Sequence, residues 1–85
     1  MTKGEYRVGI TFNPGNNDMV GQIKRKAADL IDLIESVSVP DVDTLESARH
    51  SSEVTRLKAL AQTAIEDGAM WAVKAATKPV PTNND

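Results

Sequence analysis

The chain has 85 residues, enough for one small domain, and domains of this size often need disulfides, metals or oligomerisation to hold together. It has no cysteine, which removes disulfides and thiolate metal sites, and no apolar run approaching the ~20 residues of a membrane span. A formal net charge of -2 at pH 7 argues against bulk affinity for DNA or RNA, so any anion site has to be built from a few placed cations. No signal-like apolar segment opens the chain, and the expectation is a soluble, cytoplasmic protein.

Residues 1–12 read as an N-terminal arm. Tyr6, Val8, Ile10 and Phe12 alternate with Arg7, Gly9 and Thr11, a period-two pattern that predicts an extended segment. Asn13-Pro14-Gly15-Asn16-Asn17 is turn chemistry, with Asn16 or Asn17 placed to cap a helix. That helix is predicted from Asp18 to Ser36 or Val37. Its seam is Val20, Ile23, Ala27, Leu30, Ile34 and Val37, with Lys24 and Lys26 flanking it on opposite sides and Arg25 pointing away. Pro40 ends the first helix and is expected near the start of the next, with residues 41–52 a helical extension or a separate short helix. The second long helix is predicted from about Ser52 to Thr77, stopped by Pro79, and residues 79–85 form a polar tail expected to be disordered.

The second helix is apolar on too many sides for one partner. At about 100° per residue, Leu57, Ala61, Ala64, Gly68, Ala72 and Ala75 form a stripe of mostly small residues, Leu60 and Trp71 flank it, and Met70 and Val73 lie beyond. In so short a chain, further copies of the same chain are the expected cover. The predicted fold is all-α: an antiparallel two-helix hairpin over residues 13–78, preceded by the extended arm and assembled into a helical homo-oligomer such as a four-helix bundle.

Catalytic chemistry is unsupported. His50 is the lone histidine and sits beside Ser51 and Ser52 with no orienting carboxylate in sight, so it reads as a solvated residue. Asp41, Asp43, Glu46 and Glu53 decorate a helix start rather than a calcium loop. No metal, cofactor or catalytic residue is expected. Phe12 stands apart from the other aromatics: it precedes a rigid turn and the helix that carries Lys24 and Lys26. An aromatic face with nearby cations suits a nucleotide, whose base stacks and whose phosphate pairs. The bland reading is that Phe12 staples the hairpin while the lysines are a solvated face. Arg56, Thr63, Asp67 and Lys74 form a polar stripe on the second helix that either holds an anion at a subunit contact or is plain surface.

Three segments carry a resemblance: Thr11-Phe12-Asn13-Pro14 leading into Ile23-Lys24-Arg25-Lys26-Ala27-Ala28-Asp29-Leu30-Ile31, then Arg56-Leu57-Lys58-Ala59-Leu60-Ala61, then Thr63 to Lys74 with Met70-Trp71-Ala72-Val73-Lys74 its most specific part. Over residues 11–37 and 53–78 the chain resembles the small phage anti-CBASS sponges, whose helical hairpin is shared with anti-Thoeris sponges. The resemblance implies a homohexamer in the host bacterial cytoplasm. Such a protein binds cyclic dinucleotides, and in some members cyclic trinucleotides at a separate site, and sequesters them without cleaving them. It implies a dinucleotide pocket with Phe12 as the aromatic, Asn13 and Pro14 beside it, and Lys24 or Lys26 as the lysine. Arg56 is the implied residue for a trinucleotide. Many relatives have tyrosine where Phe12 stands, so a hydroxyl contact is absent here. The competing reading is a structural or protein-binding helical oligomerisation module.

Overall fold

A computed structural model describes residues 1–81, and three helices account for its regular structure: α1 (Lys3–Val8), α2 (Asp18–Glu35) and α3 (Leu45–Ala76). Among the described residues there is no strand. The expected tail falls partly outside them, since residues 82–85 are not described, while residues 79–81 follow α3 without regular structure.

The extended arm predicted for residues 1–12 is corrected to a helix followed by a turn. Thr2 and Glu5 form a capping box: the Thr2 hydroxyl accepts the Glu5 N–H at 3.1 Å, and the Glu5 carboxylate accepts the Thr2 N–H at 2.8 Å. Gly9 stops the helix at φ 63°, a left-handed conformation open to glycine. Ile10 N–H then reaches back to Glu5 O at 3.0 Å and Gly9 N–H to Tyr6 O at 3.2 Å, the two bonds of a Schellman ending. These local hydrogen bonds outweigh the alternation of Tyr6, Val8, Ile10 and Phe12.

α2 begins as predicted, with the Asn17 side chain accepting the Val20 N–H at 3.1 Å. α3 begins further from Pro40 than predicted. Thr44 is its cap, paired reciprocally with Ser47, and residues 45–52 are continuous with the long helix. Lys58 of α3 closes the other end of α2, donating to Glu35 O at 2.9 Å and Val37 O at 2.6 Å, where the last carbonyls of a helix lack partners of their own. Midway, the buried Gln62 amide donates to Ile31 O at 3.1 Å and to the Glu35 carboxylate at 2.9 Å.

The buried face of α2 is Val20, Lys24, Ala28 and Ile31, and that of α3 centres on Gln62 and Ala69. Both predicted seams are therefore rotated. Leu30 on α2 and Val37 just past its end are exposed, and Leu57, Ala64, Gly68 and Ala75 are exposed on α3. The rotation follows from α1, which lies against α2 and claims part of its surface. Gly4 is buried there, with its N–H donating to Asp32 Oδ1 at 2.7 Å. Ion pairs tie α1 down on both sides: Lys3 to Glu35 at 2.7 Å, Arg25 to Glu5 at 2.8 Å, and Arg7 to Glu66 at 2.6 Å. Arg25, expected to point away from the seam, thus holds α1 to α2.

The molecule measures 65 × 26 × 13 Å. α1 packs across both long helices over part of their length, and much of α3 stays exposed. Leu60, Met70 and Trp71 consequently remain more than half exposed.

Two outcomes follow. A Cβ added at Gly4 would lie 2.1 Å from the Ala28 carbonyl oxygen, so Gly4→Ala should undock α1 and destabilise the chain by about 1–3 kcal/mol in chemical denaturation. Hydrogen bonds from Gln62 and Lys3 hold the Glu35 carboxyl down to about 2, and Arg25 with the Thr2 backbone does the same for Glu5, against a usual 4.5. Both folded values lie below the unfolded value, so this stability is present above pH 4.5 and is lost as pH falls from there toward 2. Melting temperature should fall through that window, and less steeply in Glu35→Gln.

Candidate functional site

The turn between α1 and α2 is held by its own side chains. Asn13 uses both ends of its amide on Asn17: its Oδ1 accepts the Asn17 N–H at 3.0 Å and its Nδ2 donates to Asn17 O at 2.8 Å. Asn16 takes the positive φ of 47° that closes the loop, and its N–H donates to Asn13 O at 2.9 Å. One residue earlier, Phe12 N–H donates to Gly9 O at 2.9 Å.

Lys24 comes up beneath this turn from the buried face of α2. It is 8% exposed. Its Nζ donates to Gly9 O at 2.9 Å and to Phe12 O, and lies 5.3 Å from the centroid of the Phe12 ring. A buried ammonium is stable only with such partners, and two carbonyls from one turn supply them. The ring itself is 71% exposed. The backbone of Phe12 is anchored while its aromatic face is left to solvent.

Two grooves open beside that ring, both floored by the end of α3. The first, of about 620 Å³, runs between the turn residues Phe12, Asn13, Pro14 and Asn17 and Val73 of α3 with its cap Thr77, and Lys78 also lines it. The second, of about 510 Å³, lies between Arg7 and Val8 of α1 and Met70, Val73 and Lys74 of α3. Volumes of this order hold a small organic ligand. Phe12, Lys24, Val73 and Thr77 line both.

Of the residues expected at a site, Phe12, Asn13, Pro14 and Lys24 come together here. Lys24 does so from within the seam rather than from its flank. Lys26 is exposed on α2 and lines neither groove. Arg56 is paired with Glu53 at 2.5 Å, an exposed contact within one helix, and lies ~25 Å from Val73 along α3 by helical rise. Arg7, Val73, Lys74, Thr77 and Lys78 were not anticipated at the groove. Pairing the two long helices end to end would have found the α3 members, since Lys58 meeting the end of α2 carries residues 73–78 to its beginning.

Residues 4–77 match the family described as Acb2/Tad1, hairpin domain. The match takes in most of the chain, including α1 and the connection between α2 and α3, and the chain belongs to this family. No curated protein and no solved structure matches it.

Replacing Lys24 with methionine keeps the length and removes both hydrogen bonds to the turn. Lys24→Met should lower stability by about 1–3 kcal/mol in denaturant titration. It should also release the amide of Phe12 to faster hydrogen exchange.

Proposed function

We propose that this protein is a sponge for cyclic dinucleotides, binding the messenger and withholding it, uncleaved, from a host effector in the bacterial cytoplasm. Membership of the Acb2/Tad1 hairpin family supports this reading. The observation that carries it is the exposed Phe12 ring standing over the Lys24 charge at the mouth of a groove of fitting size. A base stacks on the ring, and a phosphate meets the remaining N–H of Lys24. Asn13 and Pro14 shape the turn that presents both. Of the two lysines considered, Lys24 is favoured because Lys26 lines neither groove. A cyclic trinucleotide near Arg56 is the further ligand considered for the family's second site.

The same reading includes an antiparallel hairpin in a homo-oligomer, a hexamer by resemblance. The pairings of Lys58 with the end of α2 and of Val73 and Thr77 with its beginning support the antiparallel arrangement. The small buried core, with large apolar side chains left exposed on α3, supports assembly, because small domains often need oligomerisation to bury enough surface. A two-fold contact would present Phe12 and Lys24 twice to a ligand that itself has two bases and two phosphates. The exposed Leu57, Leu60, Met70 and Trp71 also favour the second reading, an oligomerisation module without a ligand.

Incubation with a panel of cyclic di- and trinucleotides, gel filtration, heat denaturation and recovery of the nucleotide separates these readings. Intact release is expected. Altered nucleotide would mean an enzyme, and no retention a structural module. Stacking is worth about 1–3 kcal/mol per base, so Phe12→Ala should weaken binding by roughly ten-fold to a hundred-fold in calorimetry while the assembly stays intact. In light scattering the unmodified chain should be oligomeric at micromolar concentration and Leu60→Ala/Trp71→Ala shifted toward monomer. A well-folded, monodisperse monomer of the unmodified chain would contradict the assembly.

A further inference from the structure

A cyclic dinucleotide brings two phosphates, and Lys24 has little left to give them. Two of its three N–H donors are spent on Gly9 O and Phe12 O. The other cations nearby differ in what they have free. Arg7 is taken up by Glu66 at 2.6 Å and Thr63 at 3.2 Å. Arg25 is shared between Glu5 and Asp29. Lys74 and Lys78 are both exposed, and among the described residues neither has an ion-pair partner.

Their placement is specific. Lys74 lies in the last turn of α3, and Lys78 directly follows its cap, Thr77. Lys74 lines one of the two grooves beside Phe12 and Lys78 the other, with Thr77 common to both. The ring of Trp71 lies 5.5 Å from the Lys74 ammonium, holding it at the edge of its groove. A nucleotide whose base stacks on Phe12 in either groove therefore has one of these lysines in the lining around it.

Resting on the sponge reading, we propose that Lys74 and Lys78 are the principal phosphate-holding residues of the site, with Lys24 a positioning residue that fixes the Phe12 turn. The end of a helix carries partial negative charge, which opposes an anion, so a phosphate here requires added cations. The same lysines would favour the helix end even without a ligand. The two roles separate experimentally: a helix-end role changes stability alone, whereas phosphate contact changes affinity and its dependence on salt.

The test is calorimetric titration of the full chain with cyclic di-AMP and cyclic di-GMP at low and high salt. The variants are Lys74→Gln, Lys78→Gln, their combination, Lys26→Gln as control and Phe12→Ala as reference. The double variant should lose roughly ten-fold to a hundred-fold in affinity and show a flatter salt dependence, with the ligand-free melting temperature nearly unchanged. Lys26→Gln should bind as the unmodified chain does, and Lys74→Arg/Lys78→Arg should restore most of the affinity. If the double variant keeps its affinity and salt dependence while Phe12→Ala loses binding, this assignment is overturned and the sponge reading stands. A lowered melting temperature with unaltered affinity assigns the lysines to the helix end and also overturns it. If the unmodified chain binds neither probe nor any other cyclic nucleotide, both readings fall.

Discussion

One buried ammonium organises the functional end of this molecule. Lys24 occupies a seam position that a hydrophobic residue would ordinarily take, and its charge is stable there only because Gly9 and Phe12 turn their carbonyls toward it. That requirement runs backward through the chain. Gly9 must adopt its left-handed φ, α1 must stop where it does, and Asn13 and Asn17 must staple the following turn. It also runs forward to the surface. With its backbone held from below, Phe12 can leave its ring in solvent without a loose backbone beneath it. A preformed aromatic face reduces the ordering needed when a ligand arrives, which suits the proposed sequestering role.

The second constraint is the smallness of the core. The three helices bury only Val20, Ala28, Ile31 and Ala69 among their apolar residues, little even for a chain of this length. Polar contacts supply much of the cohesion between elements. Gln62 reaches the Ile31 carbonyl, Lys58 closes α2, and α1 is pinned by Gly4, Asp32 and three ion pairs. Among the apolar side chains left exposed, Leu57, Leu60, Met70 and Trp71 are on α3, where the small residues Ala64, Gly68 and Ala75 allow another backbone to come close. In the proposed assembly the same helix does two things: its middle meets other copies, and its end floors the grooves beside Phe12.

Much of this was legible in the sequence, and the parts that were not have identifiable causes. α2 is marked by Asn17, its three-four periodicity and Pro40, and its observed bounds agree closely with those signals. Phe12 was conspicuous because an aromatic beside a turn and upstream of lysines has few purely structural roles. α1 was misread because its alternating apolar residues suggest a strand, while the decisive signals are the Thr2–Glu5 capping box and the Gly9 stop. Once α1 is helical it covers part of α2, which rotates both seams away from the positions that the two long helices alone would choose. Lys24 was placed beside the seam because periodicity treats a lysine as a surface residue. Nothing in its spacing reveals two carbonyls converging on it from a turn more than ten residues earlier. Lys78 is hidden for a related reason, and Lys74 is legible only as part of a polar stripe able to hold an anion, since only the pairing of helices carries either to the Phe12 turn.

The claim most open to direct measurement is that the turn is built before any ligand binds. Residue-resolved amide hydrogen exchange on the ligand-free protein reports it. The amides of Phe12, Asn16 and Asn17 donate to Gly9 O, Asn13 O and Asn13 Oδ1, so all three should be protected without nucleotide. Exchange at unstructured rates in the free protein, with protection appearing only when a cyclic dinucleotide is added, would contradict the account.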